Sequence, residues 1–170
     1  MYDINFFNQT IDIFSTIIIF LLGIFFINQI ANAFKATKRR AFGLYVWHSI
    51  FSLVYAFLSL TMPADTSIYY LQSLNNLPEF NLGTNAVVYL TAIFTSNLGL
   101  SYLGVFLVFN IFGTIGLLAV DASLRHATDN KSNFMKFLAL LVVLLPSMNF
   151  WTSAIGKDSI AFMSTGLLLW

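Results

Sequence analysis

Apolar residues come in long unbroken runs separated by short polar stretches, a pattern that predicts membrane-spanning helices. A bilayer core about 30 Å thick needs roughly 20 apolar residues in helix. Residues 11–30 form the first such run, 41–62 the second, 98–120 the third and 134–151 a shorter fourth that carries Pro146 near its end. A fifth begins at 159 and stops at 170 after 12 residues, about 18 Å of helix, too short to cross alone. A chain that stops inside an apolar run is expected to be the N-terminal part of a longer protein. The fold class predicted is all-α: a polytopic transmembrane helical bundle of about four full spans plus a truncated fifth, in a single domain over 1–170.

One connection is long. Residues 63–97 include Pro63 and Pro78 and no Lys or Arg. This loop is expected to carry short interfacial helices: one over Tyr69 and Tyr70 with Asp65, Thr66 and Ser67 as its N-cap, and one over 85–94 with Tyr89 at headgroup depth.

Composition agrees with the pattern. The chain is 58% hydrophobic and only 9% charged, with a mean hydropathy of +0.80. Soluble domains carry about 25% charged residues. A soluble enzyme, a disordered tail and a basic nucleic-acid binder are thereby excluded. Cysteine is absent, which removes thiol chemistry and disulfides.

Charge placement orients the bundle. Lys35, Lys38, Arg39 and Arg40 follow the first run, and Arg125, Lys131 and Lys136 lie between the third and fourth. By the positive-inside rule both segments are expected in the cytoplasm, as four alternating spans require. The N-terminus, the 63–97 loop and the 151–158 loop then face outward. No Lys or Arg precedes the first run, so it does not read as a signal peptide.

Candidate chemistry concentrates in the two outward loops. Asp65 suits a general base or a group that orients a substrate hydroxyl, and it equally suits a plain N-cap. Gly156, Lys157 and Asp158 open the last helix; freed N–H groups, the helix dipole and an ammonium there favour an anion such as phosphate. A plain turn with a snorkelling lysine accounts for them as well. His48 reads as a proton relay or as a hydrogen-bonding partner in the bundle. Asn97 and Asn110 read as interhelical hydrogen-bonding residues, and Gly104, Gly113 and Gly116 as sites of close helix approach. Asp12 is expected within reach of water. The Lys35–Arg40 cluster reads as a topology anchor, with contact to anionic lipid as a secondary role. No His/carboxylate cluster with metal-ligand spacing is present.

The stretch PSMNFWTSAIGKD over 146–158, followed by an apolar helix, resembles a segment of bacterial exopolysaccharide-assembly and glycosyltransferase-like membrane proteins, in which the pattern runs P-S-x-x-F-W-[ST]-S-x-x-G-K-D. Leu100, Ser101, Tyr102 and Leu103 with 106–112 resemble their third span. Asp65 followed by Tyr69 resembles the Asp-x-x-x-Tyr of their first outer loop, although Thr66 stands where many members carry a second acid. These proteins are similar to the GT-C class of integral-membrane glycosyltransferases, which take a sugar from a polyprenyl-phosphate carrier. The resemblance implies that Asp65 is the catalytic base or a metal-site ligand and that Lys157 contacts the carrier phosphate.

The expected activity is transfer of a sugar from a polyprenyl-phosphate carrier to an acceptor hydroxyl at the outer face of a bacterial inner membrane. Tyr69 and Tyr70 would stack on the sugar, and a divalent metal ion on Asp158 is an option. The expected partners are a lipid-linked sugar donor and membrane lipids, without nucleic acid. The alternatives are a transporter or flippase-like subunit for a lipid-linked solute, and a polysaccharide polymerase of the same outer-face type.

Overall fold

The computed structural model describes residues 4–7, 9–62, 64–74 and 79–170. Pro63 and Pro78 of the long loop lie outside the described residues. The described chain is helical, without a strand. Its helices are α1 (Thr10–Ile30), α2 (Lys38–Thr61), α3 (Asp65–Ser73), α4 (Thr84–Ala92), α5 (Tyr102–Ala127), α6 (Asn133–Val143), α7 (Pro146–Thr152) and α8 (Lys157–Leu169).

Four segments are long and apolar enough to cross a membrane: Thr10–Phe34, Lys38–Thr61, Tyr102–Ala127 and Asn133–Thr152. The chain is an all-helical protein of the integral-membrane type. α1 exposes Ile11, Phe14, Ile18, Leu22 and Phe25 in succession. Such a row is untenable in water and suits lipid contact.

α5 is the central helix. Most of its residues are buried, and α1, α2, α6 and α8 pack on it. The closest approach is to α8. A Cβ on Gly116 would stand 2.8 Å from the Phe162 carbonyl oxygen, and one on Gly166 would stand 2.7 Å from that of Gly116. Small residues bring two backbones together here in place of side-chain interdigitation.

The helices begin where the sequence supplies donors and caps. Gln9 and Asp12 form a capping box at α1, and Asp12 is buried rather than open to water. Thr37 caps α2 and Ser101 caps α5. The third span runs on to Ala127, so Arg125 stands in its last turn rather than in a loop. Pro146 divides the fourth apolar run, because proline lacks the N–H a continuing helix needs, and α7 starts with it as the first residue.

α6 and α7, followed by α8, form a hairpin with both ends at the basic end of the bundle. Near the start of α6, Lys136 shares a cavity with Arg125, and the Trp170 indole N–H donates to the Ala33 carbonyl (3.1 Å). At the tip, Ser52 Oγ donates to the Ser153 carbonyl (3.1 Å). Ser52 lies about 21 Å from the start of α2 and about 14 Å from its end. The 151–158 segment is therefore level with the middle of a span, not on the outer rim as its position in the sequence suggests. This resolves the short fifth run: α8, about 20 Å long, starts part-way down and reaches the basic end at Trp170.

A buried polar network holds the middle together. His48 Nδ1 meets Asn110 Oδ1 (2.6 Å), and its Nε2 meets Thr152 Oγ1 (3.1 Å). The Asn110 amide donates to Ser49 Oγ (2.8 Å), so the histidine must be the donor on the Nδ1 side. Gly113 makes the space, since a Cβ there would collide with the His48 ring and the Thr152 carbonyl. His48 thus ties α2, α5 and α7, and it lines neither of the two cavities described below. Asn97, in contrast, is exposed and makes no side-chain hydrogen bond among the described residues.

Candidate functional site

A cavity of about 370 Å³ opens between the start of α3 and the tip of the α7–α8 hairpin. Asp65, Thr66 and Tyr69 line one side of it, and Trp151, Gly156, Lys157 and Asp158 the other. Tyr55 of α2 completes the wall. Residues some ninety positions apart in sequence thus share one cavity.

Local bonding fixes both sides. On the α3 side, Ser67 Oγ donates to the Ser59 carbonyl (2.9 Å) and lies 3.1 Å from the Tyr102 hydroxyl. That hydroxyl also meets Ser59 Oγ (2.8 Å). The group seats α3 on the ends of α2 and α5. On the hairpin side, Phe150 and Trp151 pack their rings on Tyr55, at 4.6 and 5.9 Å between centroids. Ser159 Oγ donates to the Gly156 carbonyl (3.0 Å) and closes the first turn of α8.

Two helix N-termini end at this cavity, and neither is capped by a side chain. The N-cap of α3 is Ala64, not the Asp65–Ser67 group expected from the sequence, and the Asp65 side chain caps nothing. The N-cap of α8 is Gly156, in extended backbone, where a Cβ would meet no atom within 4 Å. First-turn N–H groups without a cap, together with the helix dipole, favour an anion.

The charged groups are exposed and unanswered. Asp65, Lys157 and Asp158 make no ion pair or side-chain hydrogen bond among the described residues; the salt bridges there join Arg40 and Arg125 to Asp121. Tyr69 feels the carboxylates. Burial pushes its phenol up from the usual value, Asp65 pushes it further, a hydrogen bond with Thr84 works the other way, and Asp158 adds a smaller upward push.

Thr66 was not singled out from the sequence. Thr66 lines the cavity, and its hydroxyl is buried with no partner among the described residues. A buried hydroxyl left without a partner costs about 1–3 kcal/mol. The Asp-Thr-Ser run was the available signal, and it read as a cap. Tyr70 departs from expectation in the other direction. It is buried away from the cavity, with its ring edge-on to Tyr102 (4.9 Å). The Tyr70 phenol is pushed up by burial and, to a lesser degree, by Asp12.

No group of three or more His, Cys, Asp or Glu side chains suited to a metal occurs among the described residues. Asp65 and Asp158 are the two carboxylates that line the cavity. No family model, curated protein or solved structure matches the chain.

Proposed function

We propose that the chain is a membrane glycosyltransferase-like protein that moves a sugar from a polyprenyl-phosphate carrier to an acceptor hydroxyl, as part of cell-surface polysaccharide or glycoconjugate assembly. The observation that supports this reading best is the meeting of Asp65 and Lys157 at one cavity with two uncapped helix N-termini. In this reading the basic end lies in the cytoplasm, in keeping with the positive-inside rule, and the cavity opens toward the outer face of a bacterial inner membrane.

In this reading the carrier tail lies in the bilayer and its phosphate sits at the start of α8. Lys157 and the first-turn N–H groups hold the phosphate oxygens. The acceptor oxygen attacks the anomeric carbon and the carbon–oxygen bond to phosphate breaks. The acceptor proton passes to the Asp65 carboxylate, and the leaving phosphate keeps the bonding pair as added negative charge beside Lys157. Tyr69 supplies an aromatic wall for the sugar. Asp65 and Asp158 are the groups that would hold a divalent ion, which would offset part of the leaving charge.

The test is sugar transfer from a polyprenyl-phosphate donor, comparing the native protein with Asp65→Asn and Lys157→Ala. A loss of 100-fold or more in turnover is expected for Asp65→Asn, within the range of general-base contributions. Lys157→Ala is expected to act on donor binding. Unchanged turnover in both variants would remove these residues from the mechanism. A polymerase of the same type shares the donor chemistry and differs in its acceptor.

A second reading, a transporter or flippase-like subunit, draws support from the break between α7 and α8. Ser153, Ala154 and Ile155 are non-helical and buried level with mid-span. Such backbone at membrane depth is tolerated where it lines a cavity, and transporters use half-helix N-termini of this kind to hold anionic solutes. Movement of a lipid-linked solute across vesicles without glycosyl transfer would favour it.

A further inference from the structure

A second cavity, of about 470 Å³, lies at the basic end, between the turn after α1, the last turn of α5 and the start of α6. Lys35, Arg40, Arg125 and Lys136 line it against one carboxylate, Asp129. Beneath the wall Asp121 is buried and serves both guanidinium groups. Arg40 donates to its two oxygens (2.9 and 2.6 Å), and Arg125 Nε to Oδ2 (2.9 Å). Four cations thus face two carboxylates.

The wall is fixed rather than a loose basic loop. Arg125 donates through Nη1 to the Lys35 carbonyl (2.9 Å) and through Nη2 to that of Phe34 (2.7 Å). These bonds hold Lys35 in left-handed backbone (φ 47°), the only non-glycine residue with positive φ among those described. A lysine in that conformation is strained and persists where its surroundings over-determine it. The Lys35 ammonium stands 5.5 Å from the centre of the Trp170 ring. Lys35 and Lys136 make no ion pair among the described residues, and Arg40 commits Nε and Nη2 to Asp121 while Nη1 has no partner among those residues. Leu140 and Trp170 add apolar wall beside these donors.

We propose that this cavity is a phosphate-binding site, with Lys35, Lys136 and the free Nη1 of Arg40 as the groups that meet the anion. The same chemistry accepts the phosphodiester head of an acidic membrane lipid or a free phosphate ion. The apolar wall and the position at the end of three spans favour the lipid. Asp121 and Arg125 act as positioning residues, and the site does not depend on the glycosyl-transfer reading.

The test uses the full chain in neutral detergent. Native mass spectrometry counts retained phosphatidylglycerol against phosphatidylcholine, and calorimetry measures inorganic phosphate. Two double variants remove the same charge: Lys35→Gln with Lys136→Gln inside the cavity, and Lys38→Gln with Arg39→Gln, which do not line it. One saturable phosphatidylglycerol is expected, weakened tenfold or more by the first pair and less than twofold by the second. Saturable inorganic phosphate with the same dependence, and no selective lipid, supports the site with the free ion as its ligand. Equal loss in both pairs, or no saturable binding of either ligand, overturns the proposal. Should the first pair fail to fold, Lys136→Gln alone is expected to weaken binding about threefold, and an unchanged affinity there also overturns it.

Discussion

One cavity lies at the basic end of the bundle and the other beside the tip of the hairpin, and the two handle charge differently. At the basic end, Asp121 is 1% exposed and both neighbouring guanidinium groups are bonded to it, one in a bidentate fork. At the distal cavity, Asp65, Lys157 and Asp158 are exposed and, among the described residues, unpaired; Thr66 keeps a buried hydroxyl without a partner there, and two helices start without side-chain caps. A charge answered inside the protein braces helices. A charge left unanswered beside a cavity is available to a ligand.

The largest effect expected from that contrast is on stability. Asp121→Ala leaves two guanidinium groups without their shared carboxylate and is predicted to cost about 3 kcal/mol. Asp65→Ala is predicted to stay within about 0.5 kcal/mol. Detergent unfolding followed by circular dichroism measures both, and similar losses would erase the contrast.

Glycines sharpen it at the next level. Gly116→Val drives a side chain into the α8 backbone and is predicted to cost about 2 kcal/mol. Gly156→Ala, with open space around it, is predicted to be silent in stability and to weaken carrier binding. Equal destabilisation by the two would contradict the close α5–α8 approach.

Hydroxyls give a smaller contrast. Ser67→Ala loses bonds to Ser59 and Tyr102 and should cost about 1 kcal/mol. Thr66→Val removes a buried hydroxyl that lacks a partner among the described residues, so it should stabilise the fold by about 1 kcal/mol and lower the affinity for a polyprenyl phosphate about tenfold. An unaltered affinity would take Thr66 out of the site.

The smallest effect is in alkali. Folding raises the Tyr69 phenol above its unfolded value near 10. The folded state then holds a proton that the unfolded state has released. Stability from this group is complete below about pH 10 and falls as pH rises toward the folded value. Tyr69→Phe should flatten that part of the alkaline unfolding curve, and an unchanged slope would mean the group is not held this way.

Much of the fold could be read from the chain because long apolar runs report directly on which helices are long enough to cross a membrane. The starts of α1, α2 and α6 fall within three residues of the expected runs. The depth of 151–158 was not legible. Hydropathy counts residues between polar breaks, and only the Ser52, His48 and Gly113 contacts reveal that the tip stops part-way across. Asp121 was hidden for a related reason: one acid at the end of an apolar run gives no sign of which arginines will reach it. At the site, residue types and shared membrane face pointed to Asp65, Tyr69 and the Gly156–Asp158 group. Tyr70 lay one position too far around α3, on the face that packs against Tyr102.

The central claim is that one cavity grips a phosphate on a lipid through the start of α8. A photoreactive polyprenyl phosphate, with its reactive group next to the phosphate, tests it most directly on the chain in nanodiscs. The account predicts adducts within 64–69 and 151–158 that unlabelled carrier competes away, with at least a tenfold loss in Lys157→Ala. Adducts spread along the exposed face of α1, or labelling of the cavity unaffected by Lys157→Ala, would contradict it.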